Sequence, residues 1–296
     1  MKPVPFNFHV ADTVQHALEL LALEGDDAKI LAGGQSLIPL LNFRLATPSA
    51  VVDVCRIPES DRISLDAAGI SFSFSVRHNE ALKSQEVSQA SPLVRQALRW
   101  VGHEAIRNRG TLAGSTAHAD PAAELPAVWL ALDAEMVASS TRGTRRIRAE
   151  DFFDSYFTTA LLPDEMLTEI CVPRAPDLLR RRTAFHEFAR RHGDFAISGA
   201  AVVVDTKDDG QIANARIAVL GVADIPLRLK SAEAMLLGAQ VGDVASHLAV
   251  EEEVRATIRP VGDDNAPSDY RRKLTATLVR RALLACSNNE VEGGDA

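Results

Sequence analysis

Ala32-Gly33-Gly34-Gln35-Ser36-Leu37 follows a short apolar run, Lys29-Ile30-Leu31, and precedes a stretch in which Leu37, Leu40, Leu41 and Leu45 recur at helical spacing. A strand that turns through two glycines into a helix is the unit of a parallel α/β layer. The residues on either side extend that pattern. Upstream, Asp12 or Thr13 can cap a helix that carries Val14, Ala17, Leu18, Leu21 and Ala22. Downstream, Thr47-Pro48 ends the second helix and Ala50-Val51-Val52-Asp53-Val54 reads as the next strand. Glycines in such a turn let backbone N–H groups approach a ligand, and the helix start that follows favours negative charge, which suits a phosphate or pyrophosphate. A tight structural turn with Ser36 as the helix cap explains the same residues. Neither the G-x-G-x-x-G nor the G-x-x-x-x-G-K-[ST] nucleotide signature is present.

Further along, Gly69 to Val76 reads as a strand, Pro92 to about Arg107 as a helix, and Ala122 to Leu132 as a shorter helix. Strand-like pieces follow at Glu135–Ser139, Thr144–Arg148 and Met166–Val172. The proline-punctuated, arginine-rich segment Pro173 to Arg182 marks a change of composition and a domain boundary. Beyond it, Gly199–Asp205 and Gln211–Val222 flank Lys207-Asp208-Asp209-Gly210, the pattern of a β-hairpin. Helical patterns at Ser231–Leu237, Asp243–Ile258 and Ser268–Ala285 close the chain, before a polar, glycine-bearing tail at 290–296 that is expected to be disordered.

A second segment with ligand-binding chemistry is Thr111-Leu112-Ala113-Gly114-Ser115, continuing through His118-Ala119-Asp120-Pro121-Ala122-Ala123-Glu124-Leu125-Pro126. Small residues and hydroxyls gather there between two helices, so backbone and short side-chain donors can face an extended ligand. Asp120 before Pro121 can equally be a helix cap, and His118 a structural hydrogen-bonding residue. The runs Arg180-Arg181-Arg182 and Arg190-Arg191 can face a partner or an anionic cofactor, or form a solvated face.

Composition excludes several classes. The 296 residues hold 32 Lys plus Arg against 40 Asp plus Glu, a net charge of -8 that disfavours general nucleic-acid binding. The three cysteines, Cys55, Cys171 and Cys286, are scattered. They cannot supply four-thiolate ligation of an iron–sulfur cluster and do not form a secreted disulfide framework. Neither a signal-peptide-like apolar run nor a stretch of about 20 apolar residues is present, which points to a cytoplasmic protein without a membrane span.

Taken together, the two small-residue turns, with Thr158-Thr159-Ala160-Leu161-Leu162-Pro163-Asp164-Glu165-Met166-Leu167 and Arg190-Arg191-His192-Gly193-Asp194-Phe195-Ala196, resemble the FAD-binding medium subunit of molybdenum hydroxylases, the carbon monoxide dehydrogenase and xanthine dehydrogenase family. The motifs run in order along essentially the whole chain. The resemblance implies an α+β fold. A two-subdomain FAD-binding domain at 1–175, made of a small parallel α/β layer plus a mixed or antiparallel sheet with helices, precedes a smaller α+β C-terminal domain at 176–289. It implies that Ala32, Gly33, Gly34, Gln35, Ser36 and Leu37, with Thr111, Leu112, Ala113, Gly114 and Ser115, cradle the FAD pyrophosphate. Asp120 and Glu124 would lie near the ribityl or ribose hydroxyls, and Leu167 near the flavin ring.

Relatives often carry His where this chain has Gln35, so the FAD is expected to be non-covalent; some carry Lys near His186. Ala113 stands where relatives have Gly, so an ordinary backbone conformation is expected there. The implied function is electron transfer. A large subunit would hold molybdopterin and a small one two [2Fe-2S] clusters, and electrons would pass through FAD to a quinone, NAD or oxygen. No catalytic acid, base or nucleophile and no metal ligand is assigned to this chain. A self-sufficient flavin oxidase and a flavin-free interaction or assembly protein of the same fold are the alternatives.

Overall fold

A computed structural model describes residues 2–177 and 179–288; the tail expected at 290–296 lies outside them. In chain order the first part comprises β1 (Asn7–Val10), α1 (Val14–Glu24), β2 (Ala28–Leu31), α2 (Leu37–Asn42), β3 (Ala50–Asp53), β4 (Ile63–Leu65) and β5 (Gly69–Ser73). Helices α3 (His78–Lys83), α4 (Gln85–Ala90), α5 (Pro92–Leu98), α6 (Glu104–Arg107), α7 (Leu112–His118) and α8 (Glu124–Ala131) follow. Next come β6 (Glu135–Ser140), β7 (Gly143–Arg148), α9 (Ala149–Phe152), β8 (Phe153–Ser155), β9 (Thr158–Thr159) and β10 (Met166–Pro173). The remainder is β11 (Arg180–Phe188), β12 (Ser198–Thr206), β13 (Ile212–Leu220), β14 (Leu227–Arg228), α10 (Lys230–Leu236), α11 (Val244–Thr257) and α12 (Ser268–Asn288).

The opening residues do form a parallel layer, a three-stranded sheet of order β1-β3-β2 with both pairs parallel. Thr13 is the cap of α1: its hydroxyl accepts the His16 N–H at 3.0 Å. A second, antiparallel sheet has the order β4-β5-β10-β6-β7 and is assembled from segments on both sides of the helical stretch. A third sheet, β11-β12-β13-β14, is also antiparallel, and α10, α11 and α12 accompany it. The hairpin expected at the Asp-Gly turn joins β12 to β13, with Gly210 at φ 83°. The fold is therefore α+β, with the small parallel layer at its N-terminal end.

Two apolar cores hold these layers. The first includes Trp129, Phe72, Leu93, Leu98, Leu125 and Met136, and it reaches Phe185, Ala201 and Val203 on the third sheet. The second, including Val202, Val204, Ile217, Val254 and Val279, lies between that sheet and the C-terminal helices. Alternate residues of β12 thus serve different cores, which the period-2 geometry of a strand requires. Because both faces are covered, β12 is buried throughout and reads as a continuous apolar run rather than an alternating one.

Three expectations change. The helix read from Pro92 to Arg107 is broken into α5 and α6, because Gly102 adopts φ 48°, which an α-helix cannot contain. Helix α2 ends at Asn42, where Arg44 turns left-handed, so Leu45 lies outside it and is exposed. The Arg180–Arg182 run is strand β11, not a solvated face. Arg181 Nε reaches the fully buried Asp205 at 2.7 Å, and Arg182 Nη1 donates to the Cys286 carbonyl at 3.0 Å. Only Arg180 points outward, toward Asp208.

Candidate FAD site

The two glycine-bearing turns, about 80 residues apart in sequence, lie against one another. A Cβ built on Gly33 would sit 2.4 Å from the Arg109 carbonyl oxygen and 2.6 Å from Gly110 Cα. One built on Gly114 would lie 3.6 Å from Ala32 Cβ. Gly33 is therefore required by the close approach of two backbones. Gly34 is required by its own conformation, φ 71°. Cys55 fastens the first turn from below: its thiol, kept protonated by burial and the Asp53 charge, donates to the Ala32 carbonyl at 2.8 Å. Arg77 fastens the second, Nη1 donating to the Arg109 carbonyl at 2.5 Å. His78 packs under Gly110 and is held neutral, its pKa pushed down to about 4 by burial.

The two turns spend their backbone donors differently. In the second, Thr111 caps α7: its Oγ1 accepts the Gly114 N–H at 3.0 Å and its carbonyl accepts the Ser115 N–H at 3.0 Å, while the Leu112 N–H bonds to Val76 O at 2.9 Å. Ala113 lies inside α7 with ordinary backbone angles, as its side chain demands. In the first turn, among the described residues, the N–H groups of Gly33, Gly34, Gln35 and Ser36 have no protein acceptor. The Ser36 hydroxyl makes no cap bond either, which removes the reading of Ser36 as a side-chain cap. Ser115, half-buried on α7, also keeps an unbonded hydroxyl. Successive free amides around a left-handed Gly34 form an anion-binding concavity. This donor set fits the diphosphate of FAD.

Beyond α7 the chain turns through Ala119, in the left-handed region at φ 52°. His118 stacks near Phe157, ring centroids 5.0 Å apart, which brings the β8–β9 ribbon beside the helix. Asp120 Oδ1 accepts the Ala122 N–H at 2.8 Å in a local turn, while the residue at the start of α8 is Ala123; Asp120 is not the helix cap. Burial raises the Asp120 pKa and lowers that of His118. Glu124 opens α8 at 8% exposure, and burial, with the Asp120 charge adding, lifts its pKa to about 7.

The sequence-predicted residues divide into two kinds. Gly33, Gly34, Gln35, Ser36, Gly114 and Ser115 reach the surface of the site, with Asp120 half-buried nearby. Leu112, Ala113 and Leu167 are buried in the first core, so their side chains support the site from behind; Leu37 is half-buried at the start of α2. Residues that no motif pointed to are Cys55, Arg77, His78 and Phe157, together with Glu187 on β11, close enough to Glu124 to feel its charge. The last of these stands next to His186, the position near which some relatives carry Lys. An open groove of about 230 Å³, lined by Arg77, Asn79, Glu80, Lys83 and Asn108, runs beside the second turn.

A parallel layer presenting free amides beside a second, capped turn defines an anion-binding cleft of the kind that holds a dinucleotide diphosphate. Residues 4–175 match the family model described as FAD binding domain in molybdopterin dehydrogenase, and residues 183–286 match the CO dehydrogenase flavoprotein C-terminal domain. The chain belongs to this family, the FAD-binding medium subunits of molybdenum hydroxylases, and is an oxidoreductase subunit. It is 43% identical over 287 residues to the 6-hydroxypseudooxynicotine dehydrogenase complex subunit alpha of Paenarthrobacter nicotinovorans, covering 96% of this chain and 95% of that one. A chain of carbon monoxide dehydrogenase from Hydrogenophaga pseudoflava superposes with TM-score 0.92 at 34% identity, covering 97% and 98%. Quinoline 2-oxidoreductase from Pseudomonas putida 86 gives 0.91 at 34% identity, covering 98% and 99%. Among the described residues no helix is long and apolar enough to cross a membrane.

Proposed function

We propose that this chain is the electron-transfer subunit of a heterotrimeric molybdenum hydroxylase. A large subunit carries molybdopterin and a small subunit carries two [2Fe-2S] clusters. The observation that carries the reading is the row of unspent amides at Gly33–Ser36, braced by the second turn, in a chain that matches its family along nearly its whole length. Bound FAD supplies the conversion between one- and two-electron chemistry that links the clusters to an external acceptor, a quinone, NAD or oxygen.

This chain's own residues bind and orient. The amides of Gly33 to Ser36 and the hydroxyls of Ser36 and Ser115 hold the diphosphate, while Ala32, Leu37 and Thr111–Gly114 set the shape of the cradle. Asp120 and Glu124 face the ribityl or ribose hydroxyls, for which carboxyl oxygens are natural partners. Leu167 backs the flavin end from the core. Gln35 offers no nucleophile, so the cofactor is held without a covalent bond. The FAD-binding domain ends at 175 and the C-terminal domain begins at 176, a division supported by the limits of the two family matches and by the separate second core. All three cysteines are free thiols, which suits the reducing cytoplasm.

Relatives named for 6-hydroxypseudooxynicotine, carbon monoxide and quinoline share this fold over nearly the full chain, which supports placing substrate choice on another polypeptide. Purification of the native complex, with metal analysis and a visible spectrum, tests the reading. Flavin, iron and molybdenum together are expected. A preparation lacking all three refutes it, and flavin bleached by substrate without partner subunits favours the oxidase instead.

A further inference from the structure

FAD binding accounts for a carboxyl at Glu124 but not for a second buried carboxyl, Glu187, within reach of its charge. Glu124 opens α8, and Glu187 shares with Phe185 the face of β11 that meets the first core. The register Glu187↔Gly199↔Leu220 and the Gly221 N–H bond to Pro121 O at 2.8 Å bring the connection before α8 to the same end of the third sheet. Glu124 and Glu187 are 8% and 6% exposed. Among the described residues neither forms an ion pair, and Glu187 Oε2 is buried without a hydrogen-bond partner. Two carboxyls this deeply buried, close enough for the charge of Glu124 to raise Glu187 and without a cation, resist being ionised together; a proton held on one removes the conflict.

The cations on the elements packed around the pair bond to groups other than these two carboxyls. On α12, Arg271 donates to the carbonyls of Ile197 and Gly221 and pairs with Asp263. On α5, Arg95 bonds Ser88, and Gln96 donates to the Thr183 carbonyl. On β11, Arg181 is held by Asp205 of β12 and Arg182 by α12 carbonyls. Arg99 and His186 are likewise engaged. From the α7–α8 connection come only His118, whose pKa is lowered by burial, and Asp120, whose charge adds to the repulsion.

We propose that Glu124 and Glu187 form a proton-holding site at the edge of the FAD cleft, carrying one proton between them at rest and taking a second when negative charge arrives there. The proposal rests on the FAD-binding reading above. The site's step is RCOO⁻ + H⁺ → RCOOH, the proton coming from solvent, with no electron passing through the carboxyls. Burial and the charge of Glu124 raise Glu187 to about 9, and Glu124 lies at about 7, so the resting pair is singly protonated between these values. The pair titrates as a unit. Glu187 is a positioning residue in this scheme, since nothing requires it to touch the reacting atoms.

The test has two arms. In the FAD-free protein, infrared difference spectroscopy at pH 8 is expected to show the C=O stretch of a buried carboxylic acid, largely lost in Glu187→Gln and altered in Glu124→Gln. In the FAD-loaded complex, reduction with dithionite at pH 8 is expected to take up one proton more per FAD in the wild type than in the Glu124→Gln/Glu187→Gln double variant, which has neither carboxyl left to protonate. Absence of the acid band from the wild type overturns the proposal whether or not FAD binds. Equal proton uptake in the two loaded proteins, with the band present, overturns the coupling to charge at the cleft. A wild-type chain that shows the band but never binds FAD overturns the functional reading and, with it, the assignment of the pair to a FAD cleft.

Discussion

Replacing Gly33 by alanine tests whether the two turns must touch for FAD to bind. The added methyl would lie 2.4 Å from the Arg109 carbonyl oxygen, 2.6 Å from Gly110 Cα and 2.9 Å from Arg109 C, where ordinary contact begins at 3.4 Å. The turns must therefore part by about 1 Å, and because the obstacle is backbone, no side-chain rotation relieves it. Overpacking of this kind costs about 1–3 kcal/mol. If the parted turns have to be drawn together again to hold the diphosphate, that cost appears as a roughly 5- to 150-fold loss of FAD affinity. Titration of the apoprotein with FAD, followed by flavin fluorescence, measures it, with thermal unfolding recorded alongside. Gly242→Ala is the control, because a Cβ there meets nothing within 4 Å. Wild-type affinity and wild-type unfolding in Gly33→Ala would refute the argument. A lowered Tm with unchanged affinity would show that the contact serves the fold and not the cofactor.

Thr111→Val removes the hydroxyl that accepts the Gly114 N–H and is expected to cost about 1 kcal/mol in urea unfolding, with weaker FAD retention. Asp205→Asn disrupts the buried contacts to Arg181 and Arg216, which outweigh the burial that would raise its pKa; a loss of about 3–5 kcal/mol is expected in the same assay. The Glu124–Glu187 pair makes stability fall with rising pH. Below the ordinary carboxylate value of 4.5 both states are protonated, and above it the unfolded chain ionises while the buried pair resists up to about 7 and about 9. Glu187→Gln should thus gain on the wild type between pH 5 and 9, read from Tm against pH; a constant gap would count against the pair. Acid precipitation of the loaded protein should release all flavin to the supernatant, since Gln35 cannot bond it.

What the sequence determined by itself is local. The turn after β2, the Thr13 and Thr111 caps, the Asp-Gly hairpin and the C-terminal helices follow from residue periodicity and turn chemistry within a few positions. The small-residue motifs carried the family for the same reason: both turns can be recognised without knowing that they meet. Even there the reading had a limit. Gly102 broke a helix whose apolar spacing looked continuous, and Ser36 stands at a helix start without capping it.

Tertiary structure decided everything that depends on two distant segments meeting. That Gly33 answers to Arg109 and Gly110, that Arg181 turns inward to Asp205, and that Glu187 feels the charge of Glu124 are results of packing, for which one-dimensional patterns have no register. It also separated two turns that look alike in sequence. One uses its amides to cap a helix, while the other keeps them free, because only the spatial positions of Thr111 Oγ1 and Val76 O determine which donors are already satisfied.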